Sequence, residues 1–140
     1  MDLVVDASAL VGELLRRRGR LILAHPEVSL FMAPPQWDEA MHELDRRVRH
    51  VAERLGLDPE GLLAGARALA EATVRVVPEE VYAAREGEAR KRIEDPGDWP
   101  TVALALTLDI GIWTLDLDFF GSGVATWKTE TLLRVLGIEL

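Results

Sequence analysis

"DWPTVALALTLDIGIWTLDLDFF", Asp98 to Phe120, sets a helix signal directly before a strand signal. Asp98 stands at a cap position, Pro100 sits where a first helical turn tolerates proline, and the residues that follow are apolar nearly all round. A helix of that kind is buried on every side. Gly111 reads as its stop, and "IWTL" (Ile112 to Leu115) as a short strand beyond it. Two aspartates, Asp116 and Asp118, come straight after residues suited to the buried middle of a sheet.

The same alternation runs through the rest of the chain. "LVV" (Leu3 to Val5), "VSLFM" (Val28 to Met32), "VRVV" (Val74 to Val77) and "VATW" (Val124 to Trp127) read as four more strands. Between them, Ser8 caps a helix running to about Arg18, and Pro34 and Pro35 open an amphipathic helix with Trp37, Met41, Leu44, Val48, Val51 and Leu55 on its apolar face. Asp58 and Pro59 start another helix, Pro78 opens a charged one reaching about Glu94, and "TETLLRVLG" closes the chain. Strands alternating with helices predict an α/β domain, a single one over residues 1–140, with a central, mostly parallel five-stranded sheet flanked by helices.

The composition limits what such a domain does. The 140 residues, 49% hydrophobic and 29% charged, describe one globular unit with a core of its own. Having no cysteine, the chain has no disulfide, thiolate zinc site or cysteine nucleophile, which fits a reducing compartment. The opening "MDLVVDASAL" puts an acid where a signal peptide carries positive charge, and no apolar run approaches membrane-spanning length, so the expectation is a cytoplasmic protein without a membrane partner. A net charge of −8 is the wrong sign for general attraction to nucleic acid. Its basic residues cluster in "RRRGR", "RRVRHVAER" and "REGEARKR", each on a predicted helix and each readable as a solvated face.

In a parallel sheet, ligands gather outside the carboxyl ends of the strands. Asp6 ends the first strand and Asp116 the fourth, while Asp98 begins a helix that starts at the same edge. Glu39, in the early turns of the helix after the second strand, reaches that rim by the same logic, with Glu43 one turn on as its alternative. Two unit charges about 5 Å apart repel by roughly 3 kcal/mol at an effective dielectric of 20, so six such pairs sum to on the order of 20 kcal/mol. A whole domain is stable by only about 5–15 kcal/mol. Either some of the pKa values rise, or a divalent cation sits among the acids; oxygen ligands favour magnesium or manganese, which also bind phosphate oxygens.

"VVDAS", the proline-bounded helix with "EAMHEL", "DPGDWPTVALAL" and "IWTLDLDFF" occur in an order and spacing that resembles the PIN-domain nucleases, and "GVATWKTETLL" is similar to one toxin-like subgroup. That resemblance covers nearly the whole chain and implies a central parallel sheet, an acidic Mg2+ or Mn2+ site and endonucleolytic cleavage of RNA. Carried over position by position, Asp6, Glu39, Asp98 and Asp116 are the implied catalytic and metal-binding acids, with Asp118 as an accessory metal ligand. Ser8 and Thr114 match positions where the family often has a hydroxyl that orients an acid or its water. A toxin–antitoxin partnership and a homodimer or higher homo-oligomer are further implications. A catalytically weak RNA- or protein-binding module is the alternative if the acids are incomplete.

Each acid also has a plain structural reading. Asp6 and Asp98 are ordinary helix-capping residues, Asp116 and Asp118 ordinary turn formers, and Glu39 lies on the flank opposite the apolar stripe, where a solvated glutamate is expected. "LDLDFF" also contains the DxD of aspartate-nucleophile phosphatases, but that motif normally opens its domain, and here only 22 residues follow Asp118. His25, His42 and His50 read as surface residues, and Trp37, Trp99, Trp113 and Trp127 as core. "GSG" without a following lysine reads as a turn rather than a phosphate loop.

Overall fold

A computed structural model describes residues 1–140. Five strands, β1 (Asp2–Val5), β2 (Ser29–Met32), β3 (Val74–Val76), β4 (Gly111–Trp113) and β5 (Thr126–Trp127), form one sheet in the order β3-β2-β1-β4-β5. Every pairing is parallel, with Leu3 opposite Leu30 on one side and Val5 opposite Trp113 on the other. The sheet grows outward from β1 in both directions. Its strand order therefore reverses between β1 and β4, which opens a crevice outside their carboxyl ends.

Period-2 alternation divides the core into two layers. Leu3, Val5 and Trp113 face one layer, made with α1 (Ala7–Leu14), α2 (Arg17–Leu23), α3 (Pro34–Leu55), α4 (Pro59–Thr73) and α8 (Thr129–Val135). Val4 and Ile112 face the other, made with α5 (Glu79–Tyr82), α6 (Glu86–Lys91) and α7 (Trp99–Leu108). Since both faces are covered, the strands read as apolar runs. In α7, Pro100 to Ala105 are all buried, as its sequence requires. No helix is long and apolar enough to cross a membrane.

Local expectations fail in four places, each for a physical reason. The first helix stops at Leu14, and "RRRGR" belongs to a second helix, α2, packed back on α1; any side chain at Gly19 would collide with the Glu13 backbone, so only glycine permits the approach. The buried row of α3 is Gln36, Ala40, Leu44, Val48 and Ala52 together with Met41, while Leu55 is exposed, because the helix packs between α1 and α4 with its Gln36 edge inward. The charged segment after Pro78 breaks into α5, a 3-10 turn and α6. Finally, α7 ends at Leu108 with Asp109 in the left-handed conformation, and Gly111 opens β4 instead of stopping the helix.

Candidate active site

The crevice at the switch between β1 and β4 is where the acids collect. Asp6 follows β1, is only 5% exposed, and caps α1: Oδ1 accepts from the Ala9 amide at 2.8 Å. Ser8, the expected cap, instead donates its hydroxyl to both Asp6 oxygens, at 2.8 and 3.0 Å. Thr114 Oγ1, directly after β4, donates to Asp6 Oδ2 at 2.6 Å and accepts from the Asp116 amide at 2.9 Å. One threonine thus ties the end of β1 to the turn that carries the next acids. Asp116 Oδ1 accepts from the Asp118 amide at 3.0 Å, which winds Leu117–Phe119 into a 3-10 turn and aims Asp118 back along the rim.

The third arm comes from a 3-10 turn at Pro96–Asp98, ahead of α7. Asp95 caps it, accepting from the Gly97 amide at 2.9 Å. Asp98 holds the N-cap position of α7 with helical backbone angles, φ −88° and ψ −4°, and its side chain caps nothing. That carboxylate is free for another use. One oxygen from each of Asp95, Asp98 and Asp118 lies within 4.8 Å of the others.

The electrostatics record the crowding. Burial first, then the charges of Asp95, Asp118, Asp116 and Asp6, push the Asp98 carboxyl up to about 6. The Asp118 carboxyl is raised chiefly by the charge of Asp116. Burial raises Asp6 as well, against the three hydrogen bonds that favour its ionised form. Five aspartates therefore feel one another at one edge, and no lysine or arginine is paired with any of them. An all-oxygen donor set of this density suits a hard dication.

Of the acids singled out in the sequence, the fold brings Asp6, Asp98, Asp116 and Asp118 together. Glu39 is exposed on α3 and is not one of the three acids whose oxygens converge. Glu43 is held by Arg46 and Arg47, whose hydrogen bonds pull its carboxyl down to about 2. Sequence reasoning missed Asp95; the "DPGD" turn signature that places it was legible, but only as a turn. It missed Gln36 too, a buried amide whose Nε2 donates to the Gly97 carbonyl at 3.0 Å. On the rim's outer side, Leu117 and Phe120 are more than 80% exposed, and Lys128 lines the cleft with Thr114, Asp116 and Trp127.

A parallel α/β domain with a carboxylate-lined crevice at its switch point belongs to the class of open-sheet proteins whose ligand sites lie outside the carboxyl ends of the strands. The family model described as PIN domain matches residues 4–137, and the chain belongs to that family. Among curated proteins none matches it. Family membership accounts for the all-parallel sheet and points to nuclease activity.

Proposed function

We propose that this protein is a Mg2+- or Mn2+-dependent endoribonuclease that hydrolyses RNA phosphodiester bonds. The observation that carries this reading is the convergence of the Asp95, Asp98 and Asp118 oxygens beside Asp6 and Asp116, with no basic side chain paired to any of them. Asp6, Asp98, Asp116 and Asp118, with Asp95, are the residues that would hold the ion, and a bound dication supplies an activated water and charge neutralisation at the phosphate. Ser8 and Thr114 donate to Asp6 and hold its carboxylate fixed, so that it needs no reorganisation when substrate arrives. Lys128 offers a cation to a flanking phosphate, and the Phe120 ring a face for an unstacked base. Glu39, exposed on α3 as Asp116 and Asp118 are on their turn, is the helix carboxylate of the implied quartet and a further proposed ligand.

Cleavage of labelled RNA across a Mn2+ titration tests this, comparing the parent with Asp6→Asn and Asp98→Asn. Both variants should fall more than about a hundredfold, beyond what loss of an outer-shell partner costs. Unchanged cleavage in both would remove these acids from the chemistry and leave the alternative, a PIN-fold binding module. The toxin half of a toxin–antitoxin pair, acting in the cytoplasm as a homodimer, is the biological setting we propose. Purification with the natively neighbouring proteins should recover a tightly bound inhibitor, and an isolated chain would count against that setting.

A further inference from the structure

The turn that carries Asp95 and Asp98 is clamped from outside its own segment. Its central peptide is Gly97, whose N–H donates to Asp95 Oδ1 at 2.9 Å and whose carbonyl accepts from Gln36 Nε2 at 3.0 Å. Asp98 N–H donates to the Asp95 carbonyl at 3.1 Å. Fixing the Gly97 carbonyl fixes the plane of the peptide that leads into Asp98, and so the direction in which that carboxylate leaves the backbone. Without such a hold, mutual repulsion of Asp95, Asp98 and Asp118 would splay this short turn.

Gln36 is 5% exposed and starts the inward row of α3, one turn ahead of Ala40. Its other amide atom, Oε1, is fully buried and has no hydrogen-bond partner in the protein. A buried acceptor left free is uncommon, so this amide is kept here for its donor end and not for the pairing of both ends. On the same helix Glu43 is spent on two arginines. A neutral amide at this position supplies a donor to the turn without adding a further negative charge.

We propose that Gln36 is a positioning residue α3 contributes to this site: its amide N–H locks the Pro96–Asp98 turn, and the locked turn holds the Asp98 carboxylate in the direction a cation in the acidic pocket needs. The second half rests on the metal-site reading above; the first half stands without it.

Two variants separate the halves. Gln36→Met keeps the volume and loses both donor and acceptor, and Gln36→Glu keeps acceptors and loses the donor. In metal-free protein, hydrogen exchange at the Gly97 and Asp98 amides should rise about tenfold in both variants, the effect of one ordinary hydrogen bond, with the interior amides of α7 unchanged. By calorimetry with Mn2+ alone, Gln36→Met should bind about 10–100-fold more weakly than the parent while its melting temperature stays close. Parent-like exchange at Gly97 and Asp98 overturns the locking role. Faster exchange with parent-like Mn2+ affinity overturns the role of the lock in holding Asp98 for a cation. A parent that binds no Mn2+ defeats the metal-site reading and that role with it, and the exchange data still decide the lock. If Gln36→Met does not fold, Gln36→Glu supplies the same exchange comparison.

Discussion

The two ends of α1 each bury a carboxylate, and the protein treats them in opposite ways. Glu13, fully buried near the C-terminal end, meets the Arg18 guanidinium through Oε1 at 3.0 Å and Oε2 at 3.3 Å, and Arg18 also reaches Glu130. Asp6, at the N-terminal end, receives only neutral donors from Ser8, Ala9 and Thr114, and its neighbours are other acids. A buried charge that is paired and hydrogen-bonded is a structural joint. One held in place and left without a countercharge is prepared for a cation that comes from outside. The difference is not one of supply, since the chain carries 16 lysines and arginines. Several of them are spent on other acids, Arg46 and Arg47 on Glu43, Arg49 on Asp45 and Glu60, Arg90 on Glu86, Arg92 on Glu88.

The comparison can be broken most severely at the structural end. Arg18→Met strands Glu13 in the core and should cost about 3–5 kcal/mol in urea unfolding, while Asp6→Asn removes an uncompensated charge and should cost far less. Equal losses for the two would mean that Asp6 is a structural joint as well. Next in size, Mn2+ at about 100 times its dissociation constant should stabilise the parent by about 2.7 kcal/mol and Asp98→Asn markedly less, as seen in thermal melts with and without chelator. Thr114→Val takes a hydroxyl from a buried carboxylate and should destabilise by about 2 kcal/mol, with a larger proportional loss of RNA cleavage than of stability.

The smallest effect is a pH slope whose sign distinguishes the two kinds of acid. Asp98 has a folded-state carboxyl raised from 3.8 to about 6, so the native state binds more protons than the unfolded chain between those values. Its contribution is therefore fully present below pH 3.8 and lost as pH rises through about 6. Discounting for solvent screening, that is about 1–2 kcal/mol across the window in metal-free protein. Glu43, lowered from 4.5 to about 2, runs the other way, contributing above pH 4.5 and fading as pH falls toward 2. Denaturant unfolding at pH 4, 5, 6 and 7 in chelator should show stability declining in the parent, with a flatter profile in Asp98→Asn. A parent profile that rises over this range would contradict the crowding of the rim.

Much of this was legible before folding. The buried helix α7, the apolar strands and the acids ending β1 and β4 follow from periodicity and punctuation, which are properties of neighbouring residues. The same cues mislead where two elements meet. "RRRGR" looked like a solvated face, yet Gly19 lets α2 close on α1 and carries Arg18 to Glu13. Glu39 was expected to reach the rim because it lies early in α3; it is exposed there, and the row of α3 that packs inward begins with Gln36, which no cue in the sequence singled out.

Left to its letters, the polypeptide dictates an alternating α/β fold with carboxylates after two central strands, since backbone preference and apolar spacing act over a few residues. Packing alone settles which acids become neighbours: Asp95 joins Asp98 and Asp118, Glu13 finds an arginine, and Asp6 finds none. Coulomb energies change steeply over a few ångströms, and distances between side chains far apart in the chain exist only once the strands have paired and the helices have chosen their inward edges.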